Sequence, residues 1–250
     1  MYRYKIEELK KWKNSDTRKP LIIRGARQVG KTWLMKEFGE KNYEKCAYIN
    51  FDDNSRMAQL FSGDFDIDRI IQGLKIESGV NIEAENTLII FDEIQECPKA
   101  VTSLKYFYEN ANQYHIITAG SLLGVAMHQG TSFPVGKVDF LDLYPLNFKE
   151  FLKALGEDAL IDLINKNDIN LITVFSDKLK IYLKQYMYIG GMPEVVETYI
   201  KNKDFNEVRK KQEVLLQAYE QDFSKHAPNN VVPRIRQLWN NIPTQLAKEN

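Results

Sequence analysis

A chain of 250 residues is long enough for one α/β core with a smaller module behind it. Lys+Arg and Asp+Glu both number 34, so the formal net charge is zero, and global electrostatics gives no argument for a nucleic acid or a membrane as partner. No run approaches the roughly eighteen apolar residues of a membrane span, the opening MYRYKIEELKKWKN lacks the apolar stretch of a signal peptide, and Cys46 and Cys97 stand in no CxxC spacing. These features together point to a soluble cytoplasmic protein with free thiols.

In chain order, short apolar runs rich in Ile, Val, Tyr and Phe occupy 20–25, 46–53, 86–93, 114–121 and 136–143. Each reads as a strand buried on both faces. Between them lie amphipathic stretches at 31–38, 67–74 and 98–110, with apolar residues three and four apart. Strands alternating with helices predict an α/β fold, a mostly parallel sheet covered on both sides.

After YPLNF (144–148) the strand signal ends, which places a boundary near 147. FKEFLKALGEDALIDLI, SDKLKIYLKQYMYIGGM and FNEVRKKQEVLLQAYEQDF read as helices, with Ser176-Asp177 capping the second. They form an all-helical module over 148–227. Residues 228–250 read as two short helices across a turn at Asn240-Asn241, the opening of a winged-helix module. Ile235, Leu238, Trp239, Ile242 and Leu246 would then have little to pack on, and the sequence is expected to be a piece of a longer protein.

Gly25-Ala26-Arg27-Gln28-Val29-Gly30-Lys31-Thr32 matches GxxxxGK[ST], a P-loop. Such a loop wraps a phosphate so that successive backbone N–H groups point inward, which side chains at the glycines would obstruct. The helix that follows adds its N-terminal dipole. Lys31 brings a charge to the β- and γ-phosphates, the Thr32 hydroxyl suits Mg²⁺, and Trp33 lies beside the loop, where its fluorescence would report binding. About sixty residues on, LIIFDEIQ ends a strand in two acids. Asp92 suits a magnesium-binding role and Glu93 the polarising of an attacking water. In HIITAGSLL, Ser121 follows a third strand. It either contacts the γ-phosphate or the lytic water, or caps a helix at 122–127. His115, His128 and His226 have no partner at metal spacing. Trp33, Trp239 and the tyrosines of KYFYEN and KQYMY read as core.

With GARQVGKTW, IIFDEIQ and TAGSLLG in place, the chain resembles prokaryotic AAA-like P-loop ATPases with an added catalytic glutamate. VDFLDLYPLNFKEFL and YIGGMPEVVETYI are similar to signatures of one bacterial and archaeal family. Its members carry an N-terminal AAA-like domain, a winged-helix-like region and a C-terminal nuclease-like domain, the last expected to lie beyond this sequence. The resemblance implies an ATPase domain at 1–147, a helical lid at 148–227 and the start of a winged-helix-like region at 228–250. It implies ATP or ADP as ligand, and no Asn-Lys-x-Asp guanine signature occurs. It also implies phosphate contacts from Gly25, Gly30, Lys31 and Thr32, magnesium at Thr32 and Asp92, and hydrolysis at Glu93. Gly191-Met192-Pro193 is similar to the Gly-x-Pro motif of signal-transduction ATPases, which would bring Pro193 near the nucleotide. The alternative for GGMP is a helix C-cap with a proline stop. Many relatives have arginine where Lys137 stands. Arg27, Arg234 and Arg236 are other candidates for a transition-state cation, which a second copy or a partner domain would also supply.

The leading expectation is a magnesium-dependent ATP hydrolase in which Lys31 and the loop amides stabilise developing charge. The alternatives are a nucleotide-dependent switch with slow or no hydrolysis, and a DNA-binding adaptor using the tail, where PRIRQLW offers only two arginines.

Overall fold

The computed structural model describes residues 1–120, 133–228 and 230–246. The chain divides into two compact units, 1–153 and 154–250. In the first unit, β1 (Leu21–Arg24), β2 (Lys45–Asn50), β3 (Thr87–Asp92), β4 (His115–Ala119) and β5 (Asp139–Asp142) form one parallel sheet in the order β2-β3-β4-β1-β5. The central strands β3 and β4 are buried at every residue, as continuous apolar runs between two helical layers should be. The expectation of burial on both faces fails for β2 and β5. They are the sheet's edges, so several of their side chains reach solvent.

Each helix follows from its apolar spacing. In α1 (Lys5–Lys13), Ile6, Leu9 and Trp12 recur every third residue and are buried, while Glu7 and Glu8 at the start and Lys10, Lys11 and Lys13 at the end match the helix dipole. α2 (Lys31–Asn42) buries Leu34, Met35 and Phe38. α3 (Ser55–Ser62) and α4 (Ile67–Ser78) are capped by the side chains of Asn54 and Asp66. α5 (Pro98–Asn110) opens on a proline at its first turn, where the missing N–H costs nothing. Phe61, Ile70, Leu74, Leu104 and Phe107 from α3, α4 and α5 share one core with Ile22, Ile89, Phe91 and Ile116 of the sheet. His115, one residue from Ile116 and so on the opposite face, meets Trp12 of α1.

His115 is packed, as the sequence suggested, and among the described residues no cluster of ligating side chains could hold a metal around it. Its ring lies edge-on to Tyr43, with Nδ1 2.7 Å from the Tyr43 hydroxyl. Burial, then the positive charges of Arg18 and Lys13, push its pKa down to about 4. The folded-state value lies below the unfolded one. Stability is therefore fully present above about pH 6.5 and falls as pH drops toward 4, by about 2 kcal/mol for this group. Urea unfolding at pH 7 and pH 4.5 should show the wild type losing more stability on acidification than His115→Phe. An equal loss would remove His115 from the acid limb.

α6 (Phe148–Ala154) closes the first unit. Asn147 Oδ1 accepts from the Glu150 amide at 2.9 Å and Glu150 Oε2 accepts from the Asn147 amide at 3.0 Å, a reciprocal capping box. The second unit is helical throughout its described residues: α7 (Asp158–Lys166), α8 (Ile169–Val174), α9 (Ser176–Ile189), α10 (Pro193–Asn202), α11 (Phe205–His226) and α12 (Val232–Leu246). The stretch 148–164 is two helices rather than one, parted at Gly156, whose φ of +81° no helix accepts. Ser176 is the first residue of α9 instead of its cap, and Phe175 holds the cap position without a side-chain bond. The turn expected at Asn240-Asn241 does not form. Val232, Ile235, Leu238, Trp239 and Ile242 keep three- and four-residue spacing straight through the two asparagines, and α12 continues past Pro243. Trp239 packs on Tyr219 of α11 at 6.1 Å, and Arg236 pairs with Glu220 at 3.3 Å.

Candidate functional site

β1 runs out at Arg24 into the P-loop. Gly25 has φ +157°, and a Cβ there would lie 2.2 Å from the Leu143 carbonyl oxygen, so the loop passes too close to the end of β5 for any side chain. Gln28 and Gly30 take positive φ of 62° and 92° and curl the chain into α2. A left-handed Gln28 carries roughly 1–3 kcal/mol of strain, which the surrounding structure must offset. Val29 between them is fully buried, and its carbonyl accepts from Arg3 Nη1 at 2.8 Å. Gly30 caps α2 with no side chain over its first amides, the arrangement a helix N-terminus needs to receive an anion.

The strand order brings the second motif to this loop. β1 and β3 are separated only by β4 and run parallel, so the segments after both leave the same edge of the sheet. Thr32 Oγ1 donates to Asp92 Oδ2 at 2.7 Å, across sixty residues of sequence. The Tyr48 hydroxyl donates to the same oxygen at 2.9 Å, and the Glu93 amide to Oδ1 at 3.2 Å. Asp92 is buried beneath these donors. Lys31, also buried, donates from Nζ to the carbonyls of Gly25 and Ala26, each at 2.9 Å. Desolvation lowers its pKa, with Glu93 and Asp92 opposing and Arg27 adding to the shift. An incoming phosphate would relieve that desolvation, because it returns an anion to the ammonium. Glu93 ends β3 in a left-handed conformation, φ 50° and ψ 42°, before the short 3-10 turn Ile94–Glu96, and its Oε2 accepts from Gln95 Nε2 at 2.6 Å.

A hydroxyl and a carboxylate in contact are the hard oxygen donors magnesium prefers, and few protein ligands suffice when phosphate and water supply the rest. Thr32 and Asp92 fit that role. Trp33 is exposed rather than core, since it lies on the solvent side of the first turn of α2. Lys137 is held by Glu109 at 2.9 Å. Ser121 lies outside the described residues. Pro193 belongs to the second unit, where it is the first residue of α10, and the helix before it ends at Gly190 with φ +76°. Arg234 and Arg236 also lie in that unit, on α12. Sequence reasoning missed Tyr48, Gln95 and Arg3. Tyr48 sits within a run that reads only as strand, and no spacing signals its bond to Asp92.

A parallel sheet with β4 inserted between β1 and β3, a glycine loop after β1 and paired acids at the end of β3 define a P-loop protein of the AAA class. The chain belongs to the AAA_14 family, whose model, an AAA domain, matches residues 17–152, and a domain of unknown function, DUF8612, matches 180–250. Two uncharacterized proteins of Methanocaldococcus jannaschii are similar. MJ1637 is 25% identical over 206 residues, covering 76% of this chain and 41% of that protein. MJ1544 is 28% identical over 178 residues, covering 70% and 35%. The chain therefore spans less than half of the length of these relatives. Among solved structures, a Walker-type ATPase of Pyrococcus abyssi is similar at TM-score 0.49 and 15% identity, covering 96% of this chain and 76% of that one. Among the described residues no helix is long and apolar enough to cross a membrane.

Proposed function

We propose that the chain binds ATP with magnesium in the loop 25–32 and hydrolyses its β–γ anhydride. The observation that carries this reading is the contact of Thr32 with Asp92 at 2.7 Å beside the buried Lys31, which joins the two motifs in one place. Bound magnesium would supply charge neutralisation across the β- and γ-phosphates. Lys31 turns from the Gly25 and Ala26 carbonyls to the phosphates, and the amides of 25–32 hold their oxygens. Thr32 and Asp92 would hold the metal, with Tyr48 keeping Asp92 aligned. Glu93 accepts a proton from water as the oxygen–phosphorus bond forms and the bridging β–γ bond breaks, with ADP leaving. Candidates for a transition-state cation are Arg27, Arg234 and Arg236, and an arginine supplied by a second copy or a partner domain would serve the same role.

Lys31→Ala tests the binding half. It removes a charge-assisted contact worth roughly 1.5–3 kcal/mol, so calorimetry should show Mg-ATP affinity falling by about one to two orders of magnitude. Thermal unfolding without nucleotide, measured in parallel, keeps a folding defect distinct. Equal affinity in wild type and variant would sink the assignment. Tight binding with no turnover in the wild type would instead identify a nucleotide-dependent switch.

A further inference from the structure

Asp92 Oδ2 accepts from two hydroxyls, Thr32 Oγ1 at 2.7 Å and Tyr48 at 2.9 Å, and Oδ1 accepts from the Glu93 amide at 3.2 Å. Thr32 and Glu93 belong to the two motifs, and Tyr48 belongs to neither. Its place is nonetheless fixed from two sides. Tyr48 stands two residues before Asn50, the register partner of Asp92, so its side chain leaves the same face of the sheet and reaches the carboxylate on the diagonal. Its ring lies under Lys36, whose Nζ is 3.7 Å from the centroid. Lys36 is four residues beyond Thr32 on α2, so one face of that helix carries both the hydroxyl that meets Asp92 and the ammonium that holds the tyrosine ring. α2, β2 and β3 thus close a circuit of contacts around one carboxylate oxygen.

A carboxylate oxygen has two lone-pair sites, and on Oδ2 both receive an O–H. Thr32 can keep its bond and still offer a metal its own oxygen, because a hydroxyl carries one proton and two acceptor lone pairs. The Tyr48 bond has a different effect. While it is in place Oδ2 has no lone pair left for a cation, and a grip by both carboxylate oxygens is closed. We propose that Tyr48 sets the metal preference of the site, holding Asp92 for a hydrated magnesium ion and denying calcium the two-oxygen grip. This rests on the nucleotide-binding reading above. Magnesium demands near-ideal octahedral geometry and keeps several of its waters, whereas calcium accepts flexible geometry and often takes a carboxylate by both oxygens. A carboxylate pinned by Thr32, Tyr48 and the Glu93 amide suits the first ion and not the second. Tyr48 is thereby a positioning residue, acting on the metal through Asp92.

The test uses the full chain with Tyr48→Phe, which deletes the O–H and keeps the ring under Lys36, and Tyr48→Leu, which deletes both. Calorimetry measures the affinity of each chain for a non-hydrolysable ATP analogue with saturating magnesium and, separately, with saturating calcium. Thermal unfolding is followed alongside. The readout is the ratio of the two affinities, magnesium over calcium. In Tyr48→Phe it should fall by about tenfold or more, because losing such a partner lowers metal affinity by about 10–100-fold and magnesium tolerates a misplaced ligand least. Tyr48→Leu should show at least the same fall. A merely structural tyrosine would lower the unfolding temperature and leave the ratio alone. If the ratio in Tyr48→Phe stays within about twofold of wild type, the hydroxyl does not set the preference and the proposal is overturned, while nucleotide binding by the wild type stands. If the wild type binds neither complex, or Lys31→Ala binds both equally well, the nucleotide reading falls and takes Tyr48 with it.

Discussion

Glu93→Gln should bind Mg-ATP as the wild type does and turn it over about two to four orders of magnitude more slowly. The substitution keeps the length and planarity of the side chain, so the left-handed turn at 93 and the bonds around Asp92 have no reason to change. It removes the basic oxygen. An amide cannot take the proton that water must shed, and the barrier rises by what general-base assistance supplied. The proposed phosphate contacts are made by the loop 25–32 and not by this carboxylate, so binding is expected to stay intact. Phosphate release under single-turnover conditions, with calorimetry on the same preparation, separates the two quantities. Equal rates in variant and wild type would make Glu93 a strand end that happens to be acidic.

Arg3→Met is expected to lower the stability of the first unit by about 3–5 kcal/mol, the usual effect of taking one partner from a buried ion pair. Arg3 and Glu150 are each about 4% exposed and meet at 3.3 Å. The guanidinium also donates to the carbonyls of Val29 and Tyr144, and Glu150 Oε1 accepts from the Tyr4 amide at 2.8 Å. Removing Arg3 takes the counter-ion from a buried carboxylate and the guanidinium donors from the Val29 and Tyr144 carbonyls. Glu150→Met removes the carboxylate but leaves the guanidinium. The double variant should therefore be more stable than the sum of the two losses implies, by about 1 kcal/mol or more. Denaturant unfolding of all four chains measures this coupling directly, and strictly additive losses would show that the pair does not act as a unit. Mg-ATP affinity of Arg3→Met should fall as well, because the Val29 carbonyl is a fixed point of the P-loop.

The parts of the fold legible in the sequence are those written in local spacing. The P-loop, the strand that feeds it and the helix that leaves it stand within two dozen residues. The helix over Pro98–Asn110 was legible to the residue, because a proline opens it and its apolar positions recur at helical period. The two acids after β3 were legible as a pair, though their meeting with Thr32 depended on strand order, which no single segment encodes. Tyr48, Gln95 and Arg3 escaped for related reasons. Tyr48 reaches Asp92 only because β2 pairs beside β3. Gln95 looks like any polar residue after a strand until the left-handed Glu93 folds the chain back on itself. Arg3 finds its partner 147 residues away. The expected turn at Asn240-Asn241 shows the opposite error, a local signal given more weight than the apolar period that runs through it.

The clamp on the loop has a consequence for the order of events on the ribosome. The shape of 25–32 is set by Arg3 on one side and by Leu143, Tyr144 and Glu150 on the other. A nascent chain that has exposed the glycine loop and even Asp92 still lacks β5, the neighbour of β1, and the carboxylate that fixes Arg3. At about 5–20 residues per second, the interval from the loop to residue 150 is on the order of ten seconds. If the loop binds nucleotide as proposed, nucleotide is not expected to act as a template for the early sheet during that interval. On that reading the ligand would stabilise a domain whose first and last segments have already met.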